Sequence, residues 1–210
     1  MTFRKNVLFA TVSLLWFSTA ARAEDLEQIE TDSAQKYARH LTEMFQKETK
    51  EPQVKFEVNP DKATGLHAGK DGILVVPIKT LKEGEVDPAV QTECGGGVCY
   101  LFCSQCFHPL VDGKPIDEKK LRKVKFKDGE GNDQEAACFL VTARHVDGDA
   151  WKLYVFGADK KPLVESNWGE STENKEGDLA IHVRDAKDSK AQLVFTLFNK
   201  YSSSIAIGHK

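Results

Sequence analysis

Hydrophobic positions near the start of the chain recur with the period of a helix. From Asp25 to about Lys50 they are spaced mostly by three, four or eight residues, as on one face of an amphipathic helix. They are Leu26, Ile29, Tyr37, Leu41, Met44 and Phe45. Asp25 followed by Gln28 resembles a capping box, and Pro52 cannot continue a helix. We therefore predict an N-terminal helical segment over residues 24–52. Its narrow apolar face either packs on the rest of the chain or binds a protein partner, such as a second copy in a dimer.

After Pro52 the period changes to two, which is the period of a strand with one buried face. An apolar run from Ile73 to Ile78 contains Pro77, which predicts a sheet edge or a strand end there. From Leu121 onward about seven alternating stretches follow one another, with a turn signal every 8–12 residues or so. No helical pattern separates them, so antiparallel pairing is favoured. The fold class predicted is mainly β: an antiparallel β-sandwich-like domain over residues 53–210, preceded by one amphipathic α-helix.

One hairpin can be placed from its turn residues. Asp147-Gly148 lies between two alternating stretches and is typical of a two-residue β-hairpin turn. On the returning strand, Trp151, Leu153 and Val155 are predicted to share one face.

The first 23 residues have the three parts of a signal peptide. Arg4 and Lys5 form a basic start, an apolar run follows, and Ala21-Arg22-Ala23 is a cleavage site of small residues. We expect cleavage near Ala23 and a secreted or periplasmic mature protein. The apolar run is shorter than the roughly 20 residues that a membrane span needs, and no membrane span is expected in the mature chain.

Charge and composition narrow the function classes. The formal net charge is −3 with 29% charged residues, and loss of the basic leader makes the mature chain more acidic. This balance argues against a nucleic-acid-binding protein and against a disordered chain.

Four cysteines, followed by a histidine, are the strongest chemical feature of the sequence. Cys94, Cys99, Cys103 and Cys106 fall within 13 residues, and His108 follows. In an oxidising compartment such thiols form disulfides, so we predict at least one disulfide among these four. The segment 94–108 is expected to form a hairpin or knuckle on the sandwich. Four cysteines allow three connectivities, and the sequence does not choose among them.

The same five residues allow a metal site instead. Cys103 and Cys106 have the C-x2-C spacing that lets two thiolates bind one zinc ion, with Cys94, Cys99 or His108 completing the tetrahedron. A thiol-dependent activity of Cys103 and Cys106 is a further alternative, although Pro109 bars the helix that would activate such a thiol. The spacing of Cys106 and His108 does not match covalent haem attachment. Cys138, the fifth cysteine, lies alone in an apolar stretch.

A basic stripe is the other candidate site, as a weak surface for an anionic partner. Exposed lysines on a strand are also the usual protection against edge-to-edge association. The stripe contains Lys119, Lys120, Arg122, Lys123, Lys125 and Lys127.

No catalytic motif of the common kinds occurs, so we assign no catalytic residue and expect no enzyme. The sequence predicts an exported, non-catalytic binding or structural β module with a disulfide-stabilised cysteine segment and no cofactor. The alternative is a zinc-binding or thiol-dependent protein that uses the segment from Cys94 to His108.

Overall fold

A computed structural model gives the fold of most of the chain. It describes residues 26–50, 56–81, 96–128, 131–146, 150–172, 177–187 and 189–209. Within these ranges the protein is mainly β, and its one α-helix, α1, spans Thr31–Glu48.

The strands follow the helix along the chain, except for one short strand before it. They are β1 (Glu27–Gln28), β2 (Thr64–Ala68), β3 (Asp71–Pro77), β4 (Gly96–Ser104), β5 (Phe107–Val111), β6 (Lys114–Pro115), β7 (Arg122–Lys127), β8 (Asp133–His145), β9 (Trp151–Phe156), β10 (Val164–Asn167), β11 (Gly169–Glu170), β12 (Leu179–Lys187), β13 (Lys190–Leu197) and β14 (Tyr201–His209).

Two antiparallel sheets contain all these strands. The first sheet has the order β1-β2-β3-β4-β8-β9-β10, and β7 also pairs with β8. The second has the order β12-β13-β14-β5-β6, and β11 also pairs with β14. The 13-residue strand β8 has β4 on one side, while β7 and β9 follow each other along its other side. The predicted fold class is confirmed: an antiparallel β-sandwich-like domain with one helix towards its N-terminus.

Two apolar cores separate three layers. The inter-sheet core lies between the two sheets and includes Leu101, Phe139, Leu153, Phe195 and Ile207. The helix-facing core lies between α1 and the other face of the first sheet and includes Ala38, Phe45, Tyr100, Phe102 and Leu140. The helix therefore buries its apolar face on its own domain.

Local details differ from the sequence predictions in two places. The helix begins at Thr31 rather than near Asp25, and Gln28 pairs in β1 instead of completing a capping box. The strand end predicted at Pro77 is confirmed, because Pro77 is the last residue of β3, where the missing N–H costs least; β3 itself lies inside its sheet. The hairpin between β8 and β9 pairs His145 with Trp151, whereas a two-residue turn at Asp147-Gly148 would pair Trp151 with Arg144; the turn residues themselves lie outside the described residues.

The chain passes between the two sheets at two points that matter for the candidate sites. Strand β4 belongs to the first sheet and β5 to the second, so the cysteine segment crosses the sandwich at Gln105 and Cys106. It is therefore not a hairpin, because β4 and β5 do not pair. The second crossing is at Trp168, between β10 and β11.

Candidate functional site

The cysteines of β4 point into the inter-sheet core. Cys99 and Cys103 are both 0% exposed, and burial raises the pKa of each thiol above its ordinary value. Four residues of one strand span about 13 Å, whereas a disulfide needs a Cα separation of about 4.4–6.8 Å. These two thiols therefore cannot pair with each other, nor can both reach one zinc ion about 2.3 Å from each sulfur.

The other members of the segment lie apart from this pair. Cys106 is half-buried in the crossing, and His108 on β5 pairs with Gly208 on β14. Because neighbours alternate faces, His108 lies on the outer face of the second sheet while Phe107 enters the core. Cys94 lies outside the described residues.

Neither of the two structural hypotheses for the cysteine segment gains a site here. No disulfide joins Cys99, Cys103, Cys106 or Cys138 in the described part of the chain. Among the described residues, no three His, Cys, Asp or Glu side chains form a group that could hold a metal ion. A disulfide in this segment, in particular one involving Cys94, remains a prediction.

Cys138 belongs to the helix-facing core, not to the cysteine cluster. It pairs with Phe102 on one side and Arg122 on the other, and burial raises its pKa although the Arg122 charge opposes this. Tyr100 shares this core, where its hydroxyl accepts a hydrogen bond from the Phe56 N–H at 2.9 Å. Burial raises the pKa of Tyr100 to about 12.

Three of the six members of the basic stripe have side chains paired with other described groups. Lys123 lies 2.9 Å from Glu135 and 3.4 Å from Glu118, and Lys127 lies 2.8 Å from Asp133.

Arg122 is used inside the domain, where it donates to the carbonyl oxygens of Gly157 and Ala158 and so joins β7 to the end of β9. Lys119 and Lys120 lie in a short 3-10 turn, and Lys125 is exposed on β7. The alternation predicted for β7 is confirmed, because Val124 enters the helix-facing core while the lysines lie on the other face.

A row of aromatic side chains crosses the end of the first sheet. His145 on β8 is exposed and pairs with Trp151 on β9, and their ring centroids are 5.1 Å apart. Trp168 follows β10, and its backbone N–H donates a hydrogen bond to the Trp151 carbonyl oxygen at 2.9 Å. The register of β9 and β10 therefore continues to Trp168, so the three side chains share the inner face of three adjacent strands. We call His145, Trp151 and Trp168 the aromatic row.

The aromatic row is partly packed against the inter-sheet core and partly accessible to solvent. Trp151 and Trp168 are half-buried against the inter-sheet core, which they close at this end. Nε1 of Trp168 is buried with no hydrogen-bond partner among the described residues. Since the nitrogen is not at the surface, the part of this indole that a ligand can touch is carbon.

Charged neighbours lie mostly on the opposite face of the sheet. Arg144, Lys152 and Glu165 alternate away from the row, and Lys152 pairs with Glu165 at 3.3 Å. Beyond Trp168, Glu170 pairs with Tyr201, and both side chains are exposed. Among the described residues, this end of the molecule therefore offers an aromatic surface, with a carboxylate two residues beyond Trp168 and a phenol on the neighbouring strand.

Sequence patterns did not identify the row, although they placed one of its features. They predicted that Trp151 lies on the face of Leu153 and Val155. A two-residue turn at Asp147-Gly148, however, would have paired Trp151 with Arg144 instead of His145. The neighbourhood of Trp168 depends on the crossing between the sheets, which no periodicity reports.

Comparison with known proteins adds no assignment: no family model, curated protein or solved structure matches the chain. Among the described residues, no helix has the length and apolar character needed to cross a membrane.

Proposed function

We propose that this protein is an exported, non-catalytic binding module whose ligand lies on the aromatic row. The observation that supports this most directly is the alignment of His145, Trp151 and Trp168 on three adjacent strands at an accessible end of the sandwich. Aromatic side chains give a large contact area for little loss of side-chain freedom, and they are enriched where proteins bind ligands. A rigid sheet positions them without rearrangement.

Export rests on the leader sequence, which lies outside the described residues. We propose that cleavage near Ala23 releases the mature protein into a secreted or periplasmic location. N-terminal sequencing of the exported protein should begin at Glu24 or within a residue or two. A mature protein that keeps Met1 would contradict this.

The cysteine segment serves stability in this proposal. Cys99 and Cys103 contribute apolar volume to the inter-sheet core, and a disulfide that includes Cys94 or Cys106 would fix the crossing between the sheets. Zinc binding and thiol chemistry both need thiolates, and burial disfavours the thiolate at Cys99 and Cys103. The geometry therefore supports a binding module better than a zinc-dependent or thiol-dependent protein.

The test uses tryptophan emission of the full exported protein as the signal. The probes are neutral polysaccharides, poly-L-proline and anionic polymers such as heparin. We expect saturable binding of at least one probe that the His145→Ala variant weakens and the Tyr37→Ala variant leaves unchanged. Tyr37 is the matched control because it is an exposed aromatic on the helix, 44% exposed, away from the row. If no probe binds, or if His145→Ala binds as well as the unchanged protein, the proposal fails.

A further inference from the structure

We infer that the ligand of the aromatic row is an extended, neutral glycan chain that lies across the strands of the first sheet. This inference rests on the proposed binding function and adds the chemical class of the ligand.

The spacing of the rings matches the length of one sugar unit in a glycan chain. His145, Trp151 and Trp168 stand on successive strands, and neighbouring strands are about 4.8 Å apart. The two rings with a measured separation have centroids 5.1 Å apart. A β-linked pyranose chain advances by a similar length per sugar, so successive sugars would lie over successive strands.

A proline-rich peptide fits this spacing less well. A polyproline II helix repeats every three residues, which is about 9 Å, so it would contact every second strand and leave the middle ring unmatched. Addition of a peptide as a new strand is also disfavoured at Trp151. Its carbonyl oxygen already accepts from Trp168, and its strand is paired on both sides.

The chemistry of the surface agrees with a sugar. The face of an aromatic ring carries partial negative charge, and a pyranose presents a face of C–H bonds that carry partial positive charge. Trp168 offers carbon rather than its nitrogen. The hydroxyl groups of a sugar would find hydrogen-bond partners in the exposed side chains of Glu170 and Tyr201 at the end of the row.

The charged residues near the row and the orientation of its rings narrow the class of ligand further. Arg144, Lys152 and Glu165 lie on the opposite face, so none of these charged residues described beside the row shares its face, which favours an uncharged chain over an acidic polymer or a cation. The planes of His145 and Trp151 are inclined by 58°. A tilted row fits one twisted soluble chain better than the flat surface of a crystalline polysaccharide.

Affinity electrophoresis in native gels tests the inference on the full exported protein. The gels contain hydroxyethyl cellulose, xylan or galactomannan, and microcrystalline cellulose is tested by sedimentation. We expect at least one soluble glycan to retard the protein. Because His145→Ala removes one aromatic contact, it should weaken binding about twofold to tenfold. Trp151→Ala should weaken it more, and Tyr37→Ala should not change it.

The remaining outcomes separate the two proposals. Trp151→Ala can also destabilise the protein, because Trp151 packs against the inter-sheet core. The decisive variant for binding is therefore His145→Ala, and urea unfolding checks that this variant is folded. Binding of poly-L-proline or heparin alone, sensitive to His145→Ala, would overturn the glycan inference and leave the binding function standing. Binding to microcrystalline cellulose without binding to soluble glycans would overturn the single-chain inference. If none of these probes binds, both proposals fail.

Discussion

Gly157 shows at the scale of one residue how the junction between β7 and β9 is built. A Cβ at this position would lie 2.1 Å from the Lys120 carbonyl oxygen and 2.7 Å from Leu163 Cδ1. The Ala158 N–H donates to that same oxygen at 2.7 Å. The absence of a side chain therefore lets the end of β9 approach the start of β7.

We expect Gly157→Ala to lower the free energy of unfolding by about 3 kcal/mol, at the upper end of ordinary overpacking, because the clash is with backbone that cannot move aside. Urea unfolding measures this. Gly169→Ala is the control, because nothing lies within 4 Å of a Cβ built there. A similar loss in both variants would show that the close approach is not the cause.

Thiol reactivity gives a second prediction at this scale. With reductant present, iodoacetamide should modify the half-buried Cys106 before Cys99, Cys103 and Cys138, which are at most 1% exposed. Both burial and the raised pKa of the three core thiols suppress the reactive thiolate. Mass spectrometry of peptides after timed alkylation measures the order. Fast modification of Cys138 in folded protein would contradict its place in the helix-facing core.

Among the helix and the strands, periodicity predicted the type of each element, because the type depends on the local sequence pattern. The helix and most strands follow from the spacing of apolar residues, because each buries one face. Pairing across the sandwich does not follow from it. The sequence gives no sign that β4 and β5 join different sheets, nor that β8 is shared by β4, β7 and β9, since these contacts join distant parts of the chain. The same limit explains why the cysteines were recognised as a cluster although Cys99 and Cys103 are held apart along one strand.

The packing of α1 can be tested with two aromatic residues of the same helix. Phe45 is 3% exposed and packs edge-on against Tyr100, with ring centroids 5.0 Å apart. Phe45→Ala should cost about 3–5 kcal/mol in the free energy of unfolding. Tyr37→Ala should cost within about 0.5 kcal/mol, because Tyr37 is exposed. Chemical denaturation measures both free energies of unfolding. Equal losses in the two variants would contradict the burial of Phe45 and the exposure of Tyr37.

The helix-facing core should also make the protein sensitive to alkali. Tyr100 has a raised pKa of about 12 against an ordinary value of 10.0, and the pKa of Cys138 is raised above 9.0. At a pH between the ordinary pKa of each group and its raised value, the group is ionised in the unfolded chain and still protonated in the folded chain. The free energy of unfolding therefore falls as the pH rises above about 9.

Tyr100→Phe should reduce the part of this fall between pH 10 and 12 by about 2 kcal/mol. Urea unfolding at several pH values, with reductant, measures the slope. The comparison uses slopes because the variant also leaves the Phe56 N–H without its acceptor. An unchanged slope would mean that Tyr100 ionises freely in the folded protein.

At the scale of the whole molecule, the acidic balance and the paired lysines limit binding to polyanions. Lys123 and Lys127 each have a carboxylate within 3 Å. We therefore expect weak retention on heparin, with elution at or below about 0.15 M salt, where the screening length is about 8 Å. Glu135→Gln should raise the elution salt slightly by releasing Lys123. Strong retention of the unchanged protein would favour the basic stripe as a site for an anionic partner.

The sequence separation between β14 and its neighbour β5 has a consequence for how the protein folds. Tyr201–His209 is the strand that joins β13 to β5, although β5 is made about ninety residues earlier. A chain that is made from its N-terminus therefore cannot close its second sheet until residues 201–209 are available. Until then β5 has only β6 beside it, and the inter-sheet core is open along the side that β14 covers in the folded protein. Completion of the second sheet is therefore a late step of folding, because it joins segments that are far apart in the sequence.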